Sequence, residues 1–283
     1  MNDFKGRREI DVLILSDIHL GTYGCHAKEL VSYLKTIKPK LIILNGDIID
    51  IWQFNKNYFP KSHLKVVKQL IGFASKGVPV HYITGNHDEM LRRFVGFKLG
   101  NLTIENKLIL EFDNKKAWVF HGDVFDVTMQ HAKWLTKLGA IGYDTLIILN
   151  RFANFILEKT GREKISLSKK IKNSVKKAVT FINNFEQTCA DIAITKNYDY
   201  VICGHIHHPE IKILSNDNGS VTYLNSGDWV ENLTSLEYNN GKWSIYKYDH
   251  AIEEDTIEED ELSTMKNKDL FELLVAEINQ DHE

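Results

Sequence analysis

The fold is decided around one stretch, Leu41-Ile42-Ile43-Leu44-Asn45-Gly46-Asp47-Ile48-Ile49-Asp50. Its apolar half has the composition of a short β-strand, and the Gly-Asp pair that follows predicts a tight turn. Val12–Leu15 and Val78–Ile83 repeat this arrangement, and helix-length segments at Ala27–Thr36 and His63–Ser75 lie between the three runs. The alternation predicts a βαβαβ unit with parallel strands and right-handed crossovers.

Polar motifs follow five of the predicted strands, at the edge where open α/β sheets collect their ligands. Each motif carries Asp, His or Asn, which are side chains that bind divalent metals. Two-metal hydrolysis needs a carboxylate that bridges the ions, together with ligands that leave positions for water and a phosphate oxygen. The ordered set therefore predicts a binuclear metallohydrolase, with the motifs Asp17-Ile18-His19, Gly46-Asp47, Gly85-Asn86-His87-Asp88, His121-Gly122-Asp123 and Gly204-His205-Ile206-His207.

The remaining predicted strands are separated mostly by short polar turns. We expect them to form a second, mixed or antiparallel sheet that faces the first one. With helices outside both sheets, the predicted fold class is α/β (α+β), a four-layer αββα sandwich. The strands assigned to the second sheet are Leu102–Ile104, Leu108–Phe112, Ala117–Phe120, Tyr200–Cys203, Ile211–Leu214, Val221–Asn225, Leu233–Tyr238 and Trp243–Tyr248.

We predict a catalytic domain at residues 1–250 and an acidic tail with a short helix at residues 251–283. Within the domain, the pattern between His131 and Asn197 is helical, so we expect a helical insertion at about residues 127–197. Trp134–Leu157 is apolar, and Arg162–Lys177 is dense in Lys and Arg. A helical pair packed on the core with a solvated basic face fits this pattern, and so does a substrate-binding cap.

Charge and cysteine content limit the kinds of partner and the cellular compartment that we expect for this protein. The formal net charge of −3 gives no general attraction to nucleic acid. Cys25, Cys189 and Cys203 are odd in number and widely spaced, so we expect no disulfide framework. The N-terminal sequence lacks the apolar core of a signal peptide, and no apolar run approaches the ~20 residues that span a bilayer. We therefore expect a cytoplasmic protein in a reducing setting.

The five motifs resemble the signature of the calcineurin-like metallophosphoesterases, and the resemblance extends roughly from Asp11 to Tyr248. The segment Cys203–Pro209, followed by Asn225–Glu231, is more particular. It is similar to the branch of UDP-2,3-diacylglucosamine pyrophosphatases, which act in lipid A synthesis. The resemblance implies the αββα sandwich and favours reading the helical insertion as a cap.

The resemblance also implies a ligand set for two metal ions. Asp17, His19, Asp47 and His207 would hold one ion, and Asp47, Asn86, His121 and His205 would hold the other, with Asp47 as the bridge. The i, i+2 spacing of Asp17 with His19 and of His205 with His207 puts both side chains of each pair on one face of an extended strand. Imidazole, carboxylate and amide oxygen without thiolate favour Mn²⁺, with Fe or Zn as alternatives.

His87 is expected to act on the substrate and not on the metals. The resemblance implies that Asp50 hydrogen-bonds His87 and keeps it charged, so that His87 stabilises the transition state or protonates the leaving oxygen. The lipid A enzymes of the similar branch carry Arg where His87 stands. This difference between the chain and that branch bears on the identity of the substrate. Asp88 and Asp123 are expected to orient ligand histidines or to cap turns.

The leading hypothesis is hydrolysis of UDP-2,3-diacylglucosamine to UMP and 2,3-diacylglucosamine 1-phosphate, by a cytoplasmic enzyme that is peripheral on the inner-membrane surface. Lys169, Lys172 and Lys176 lie at i, i+3 and i+7, which puts three cations on one helical face suited to phosphate groups. The alternatives are a phosphodiesterase or phosphatase acting on nucleotides, nucleic acid or phosphoprotein, and a non-catalytic scaffold. The slightly acidic overall charge argues against nucleic acid as a partner.

Overall fold

Two sheets form the framework of the protein, one of seven strands and one of five. The computed structural model describes residues 6–51, 59–125 and 167–249. In chain order the elements are β1 (Arg8–Ile10), β2 (Val12–Leu15), α1 (Ala27–Lys35), β3 (Ile37–Pro39), β4 (Ile42–Asn45), α2 (Lys61–Ser75), β5 (Val80–Ile83), a 3-10 helix (Glu89–Phe94), β6 (Lys98–Leu99), β7 (Leu102–Glu105), β8 (Lys107–Phe112), β9 (Lys115–Phe120), a 3-10 turn (Asp123–Phe125), α3 (Leu167–Thr195), β10 (Tyr200–Cys203), β11 (Glu210–Asn216), β12 (Gly219–Asn225), β13 (Thr234–Asn239) and β14 (Lys242–Lys247).

The seven-stranded sheet has the order β14-β13-β2-β4-β5-β7-β6, and its four strands β2, β4, β5 and β7 are parallel. The predicted βαβαβ unit is therefore confirmed. Its helices cover one face of the sheet, where Leu15 and Leu44 pack in one core with Leu30 and Phe73. The helical period explains this packing, because the buried residues of α1 recur at i, i+3, i+4 and i+7 as Ala27, Leu30, Val31 and Leu34.

The five-stranded sheet has the order β11-β12-β10-β9-β8, with β10 parallel to both β9 and β12 and antiparallel strands at the two edges. It faces the first sheet across a second apolar core, in which Ile14 and Ile43 from one sheet pack with Val119 and Ile202 from the other. At the outer side, Asp191 near the end of α3 accepts a hydrogen bond from Asn216 of β11. The predicted sandwich of two facing sheets with helices outside is confirmed.

The division of strands between the sheets was wrong for three of the eight that we assigned to the second sheet. Leu102–Glu105 pairs in parallel with β5, and Thr234–Asn239 pairs antiparallel with β2 and carries Lys242–Lys247 at the sheet edge. All three therefore belong to the first sheet. The physical reason is that partner choice in a sheet depends on long-range packing, which the local strand pattern does not contain.

The chain divides into two compact units, Met1–Asp123 with Ala190–Glu283, and Val124–Cys189. Residues 126–166, which make up most of the expected insertion at 127–197, lie outside the described residues, as does the tail at 251–283. The helical cap therefore stays a prediction. Among the described residues, no helix is both long and apolar enough to cross a membrane.

Candidate metal centre

The predicted ligands lie on loops that leave the two sheets at the same end of the sandwich. Backbone hydrogen bonds couple these loops: the amides of Asp17 and His19 donate to the carbonyl oxygens of Gly46 and Asp47 at 3.0 and 2.9 Å. On the second sheet, the amide of Gly204 donates to the carbonyl oxygen of His121 at 2.9 Å. Because the parallel pairing continues beyond the strands, the motifs of neighbouring strands are held side by side.

The backbone itself is strained where these side chains leave it. A positive φ is uncommon for residues other than glycine and concentrates at functional sites. Among the predicted ligands, φ is positive at Asp17 (50°), His19 (53°), Asp47 (54°), His205 (67°) and His207 (51°). The extended strand that we expected for Asp17 with His19 and for His205 with His207 was wrong, because β2 ends at Leu15 and β10 ends at Cys203, before these residues.

The first cluster consists of Asp17, His19 and His207, which each offer a ligand atom within 4.8 Å of the others. Nε2 of His207 lies 3.2 Å from Oδ1 of Asp17. The other oxygen of Asp17, Oδ2, accepts a hydrogen bond from the amide of His205 at 3.0 Å, and this fixes the rotation of the carboxylate. Three of the predicted ligands therefore meet at one point.

The second cluster consists of Asp47, His121 and His205, again within 4.8 Å of one another. Nδ1 of His121 faces the carbonyl oxygen of Asn45 at 2.9 Å, and a carbonyl can only accept, so Nδ1 carries the proton. In the neutral ring Nε2 then presents a lone pair, and it lies 3.2 Å from Oδ2 of Asp47. Two acceptors that face each other in this way fit a shared cation.

Asn86 lies between two residues whose amides donate to carboxylates. The amide of Gly85 donates to Oδ1 of Asp88 at 2.6 Å, and the amide of His87 donates to Oδ1 of Asp47 at 2.8 Å. The loop that carries Asn86 is therefore bound directly to Asp47, the predicted bridge. The seven predicted ligands accordingly lie on loops that hydrogen-bond one another.

Several buried atoms of these clusters lack a hydrogen-bond partner among the described residues: Oδ1 of Asp17, Nε2 of His19 and Nε2 of His121. A buried polar atom left unsatisfied costs about 1–3 kcal/mol. One or two divalent cations would satisfy all three atoms at once, since carboxylate oxygen and imidazole nitrogen are their normal ligands. The donor set therefore fits a metal centre.

The clusters also shift the pKa values of their members. Burial lowers the pKa of His207, but the carboxylate of Asp17 outweighs burial and raises it to about 9. Burial likewise opposes the charged form of His121, yet Asp47 and Asp17 raise its pKa well above the usual value. Against the opposing effect of burial, the histidines lower the pKa of Asp17 and of Asp47. A metal bound by these atoms would have to displace protons from the imidazoles, so binding would release protons.

His87 and Asp50 form the pair that the family resemblance implied. Nδ1 of His87 lies 2.9 Å from Oδ2 of Asp50, which is buried, whereas the His87 side chain is 32% exposed. The hydrogen bond that His87 donates to the carboxylate of Asp50 raises the pKa of His87, against the opposing effect of burial. The ring of His87 stands edge-on to that of His19, with centroids 4.7 Å apart. A polar, partly exposed imidazole therefore lies beside the first cluster.

Asp88 differs from the expectation that it orients a ligand histidine. It is fully buried, and its carboxylate accepts from the amides of Gly85 and Ile48 at 2.6 and 3.0 Å and from the hydroxyl of Tyr82 at 2.6 Å. Asp88 therefore joins the loop after β5 to the loop after β4. Turn capping, the alternative that we gave for this residue, matches these contacts.

Within the described part of the chain, Asp123 likewise forms no hydrogen bond with a ligand histidine. Its carboxylate pairs with the guanidinium of Arg92 at 2.5 Å, and the same Arg92 nitrogen lies 3.4 Å from the carbonyl oxygen of Gly85. Arg92 therefore links the loop after β5 to the loop after β9. No motif marked Arg92, because its partner lies on the other sheet.

Asn45 and Asp228 lie beside two of the predicted ligand histidines, and the sequence analysis assigned neither of them a role. The side-chain amide of Asn45 donates to the carbonyl oxygen of Phe120 at 3.1 Å, while the backbone carbonyl oxygen of Asn45 accepts from Nδ1 of His121 at 2.9 Å. The carboxylate of Asp228 is fully buried, and its Oδ2 lies 3.9 Å from Nδ1 of His207. A buried Asn directly before Gly-Asp was the only available sequence signal for Asn45.

The proposed substrate lysines lie in the first part of α3. The backbone of Lys169, Lys172 and Lys176 lies in α3, but their side chains lie outside the described residues. The apolar stretch that precedes them, Trp134–Leu157, is outside the described residues as well. The role of these residues stays a prediction.

A family model and curated relatives agree with the motif analysis. A family model described as calcineurin-like phosphoesterase matches residues 10–209. The chain is 23% identical over 249 residues to UDP-2,3-diacylglucosamine hydrolase of Aliivibrio fischeri (strain MJ11), covering 83% of this chain and 98% of that protein. It is 25% identical to the protein of the same name from Wigglesworthia glossinidia brevipalpis, covering 84% of this chain and 94% of that one. A solved archaeal phosphodiesterase structure is similar with a TM-score of 0.41 and 14% identity, covering 83% of this chain and 98% of the other.

Proposed function

The chain belongs to the calcineurin-like phosphoesterase family, a family of metal-dependent phosphoesterases, and we propose that it hydrolyses UDP-2,3-diacylglucosamine to UMP and 2,3-diacylglucosamine 1-phosphate. The observation that carries the proposal of a hydrolytic centre is the convergence of two metal-ligand clusters beside the His87–Asp50 pair. The lipid-linked substrate is supported by the names of the similar curated proteins.

The residues proposed to hold the metals are Asp17, His19, Asp47 and His207 for one ion, and Asp47, Asn86, His121 and His205 for the other. Two divalent ions there would supply Lewis-acid activation of water and of the phosphate. The absence of thiolate from this set favours Mn²⁺, with Fe or Zn as alternatives. The unsatisfied buried atoms on Asp17, His19 and His121 support this assignment.

His87 is proposed as the residue that acts on the substrate. Asp50 occupies Nδ1 of the ring at 2.9 Å, which leaves Nε2 as the atom that can face a phosphate. The hydrogen bond to Asp50 raises the pKa of His87 above its usual value, which favours the protonated ring. It would donate a hydrogen bond to a phosphate oxygen as charge develops, or pass the proton to the leaving oxygen when the P–O bond breaks.

The proposed location of the protein at the inner membrane surface follows from the proposed substrate. A cytoplasmic enzyme that acts on a lipid-linked nucleotide must meet that substrate at the inner surface of the membrane. We propose that the helical insertion at about residues 127–197 is the cap that receives the acyl chains. Lys169, Lys172 and Lys176 would then bind phosphate groups at its mouth.

His87 also favours a second candidate, a phosphodiesterase or phosphatase that acts on nucleotides or phosphoprotein. An alkoxide leaving group needs a proton, whereas a phosphate leaving group departs readily without one. Histidine can supply this proton and arginine cannot. The substitution of His for the Arg of the similar branch therefore suits ester substrates as well as a diphosphate.

The deciding experiment compares acylated with deacylated UDP-glucosamine at equal concentration in the presence of Mn²⁺, with UMP release as the readout. The proposal expects strong preference for the acylated compound. Asp47→Ala should lose bound metal and all hydrolysis, whereas Asp217→Ala, an exposed aspartate in the turn before β12, should retain both. Equal turnover of the two compounds, or turnover of neither beside fast cleavage of nucleotides, would replace this function with the second candidate.

A further inference from the structure

An exposed apolar segment follows directly after the His87–Asp88 loop. We call residues 89–101 the docking segment. Large apolar side chains are normally buried, and an apolar patch that stays exposed on a surface marks a contact site. Within the docking segment the exposed apolar residues, with the exposed fraction of each, are Met90 (52%), Phe94 (51%), Val95 (42%), Phe97 (52%) and Leu99 (37%).

Hydrogen bonds hold the backbone of the docking segment in place, so the exposed side chains belong to an ordered part of the structure. The amide of Phe97 donates to the carbonyl oxygen of Phe94 at 2.9 Å, and the amide of Gly96 donates to that of Ile104 at 2.8 Å. Ile104 in turn donates to Phe97 at 3.1 Å, which anchors the segment to β7. The apolar side chains are therefore displayed on an ordered loop.

The charge of the docking segment is opposite to that of the chain. It contains Arg92, Arg93 and Lys98 against a single acid, Glu89, whereas the chain has a formal net charge of −3. Arg92 is engaged with Asp123, but Arg93 and Lys98 are exposed beside the apolar side chains. A basic apolar surface of this kind is complementary to anionic lipid headgroups over acyl chains.

We infer that the docking segment is the surface by which the protein sits on an anionic lipid membrane, with Phe94 and Phe97 inserted at the interface. A second copy of the chain is a poorer occupant, since a two-fold contact would bring Arg93 and Lys98 of each copy together. The inference rests on the proposed function for the lipid nature of the partner and names the surface that function would use. Because the segment begins two residues after His87, docking brings the candidate site to the membrane.

Vesicle co-sedimentation without substrate tests this inference separately from the reaction. Wild-type protein should sediment with vesicles of phosphatidylcholine mixed with phosphatidylglycerol, and less with phosphatidylcholine alone or at high salt. The double variant Phe94→Ser/Phe97→Ser should bind at least tenfold more weakly. The variant Arg93→Glu/Lys98→Glu should also lose binding, by about fivefold or more per cation removed.

Matched controls lie elsewhere on the surface of the same protein. Ile213→Ser removes an apolar side chain that is 75% exposed on β11, and Lys242→Glu reverses an exposed charge on β14. Both should sediment like the wild type. Absence of wild-type binding, equal binding by all variants, or a wild-type dimer that the phenylalanine variant dissociates would each overturn the inference. If the serine variant unfolds, the charge-reversal variant still decides, because it removes no packed apolar side chain.

Discussion

Gly85→Ala should disrupt the candidate metal centre without removing any ligand. A Cβ at Gly85 would lie 2.7 Å from the amide nitrogen of Asp47 and 2.8 Å from Cδ2 of His121, and it would collide with Oδ1 of Asp47. Ordinary contacts begin at 3.4 Å, so the Asp47 backbone would have to move by about 0.7 Å. Metal–ligand distances tolerate about 0.2 Å. The carboxylate of Asp47, the proposed bridge, could therefore not keep its position.

The expected result is loss of bound metal and a fall in activity of about 10²-fold or more, as for a misplacement approaching 1 Å. The free energy of unfolding should fall by about 1–3 kcal/mol, the usual cost of overpacking, which leaves a folded protein. Elemental analysis measures the metal, hydrolysis of bis(p-nitrophenyl) phosphate measures activity, and urea denaturation measures stability.

Gly72→Ala is the matched control, because a Cβ at Gly72 meets nothing within 4 Å and the residue lies inside α2. This variant should keep its metal and its activity and gain about 0.5–1 kcal/mol of stability. If Gly85→Ala binds metal and hydrolyses the diester as well as Gly72→Ala does, the close approach of Gly85 to Asp47 does not hold the site, and the reasoning fails.

Two further predictions concern the candidate metal centre, and a third concerns His63, a buried residue of α2. His87→Ala should keep its metal yet lose activity by about 10²–10⁴-fold, and Asp50→Asn should lose less in the same direction; metal loss in His87→Ala would contradict the assigned role. Asn45→Leu, which removes the donor to Phe120, should weaken metal binding by about 10–100-fold in calorimetric titrations with Mn²⁺; unchanged affinity would mean that this contact does not position His121. Burial lowers the pKa of His63 to about 4 from 6.5, so between these values only the unfolded chain takes up the proton and the free energy of unfolding falls as the pH falls. The loss of unfolding free energy should reach about 3 kcal/mol by pH ~4, as measured by urea denaturation in EDTA. His63→Asn keeps a hydrogen-bond acceptor but has no titrating ring, so it should lack this pH-dependent loss. Parallel curves of stability against pH for the two proteins would refute the prediction.

The candidate site was readable from the sequence because its chemistry is local. Each ligand follows a strand in a short motif, and the parallel strands bring the motifs to one end of the sheets. The pairing of His87 with Asp50 was inferred from resemblance, and the structure brings the two together at 2.9 Å. What the motifs did not contain is the support around them, such as the Asn45 side chain, which reaches across to Phe120.

By itself the sequence determined the strand–turn units, the α/β class and the identity of the polar residues at the strand ends, because these depend on residue type and on short-range periodicity. Only the tertiary structure decided that β7, β13 and β14 complete the first sheet, that Asp88 ties two loops together through Gly85 and Ile48, and that Arg92 pairs with Asp123. Each of these depends on which distant backbone or side chain lies within hydrogen-bonding reach. That distance is set by the packing of the two sheets, and no local pattern encodes it.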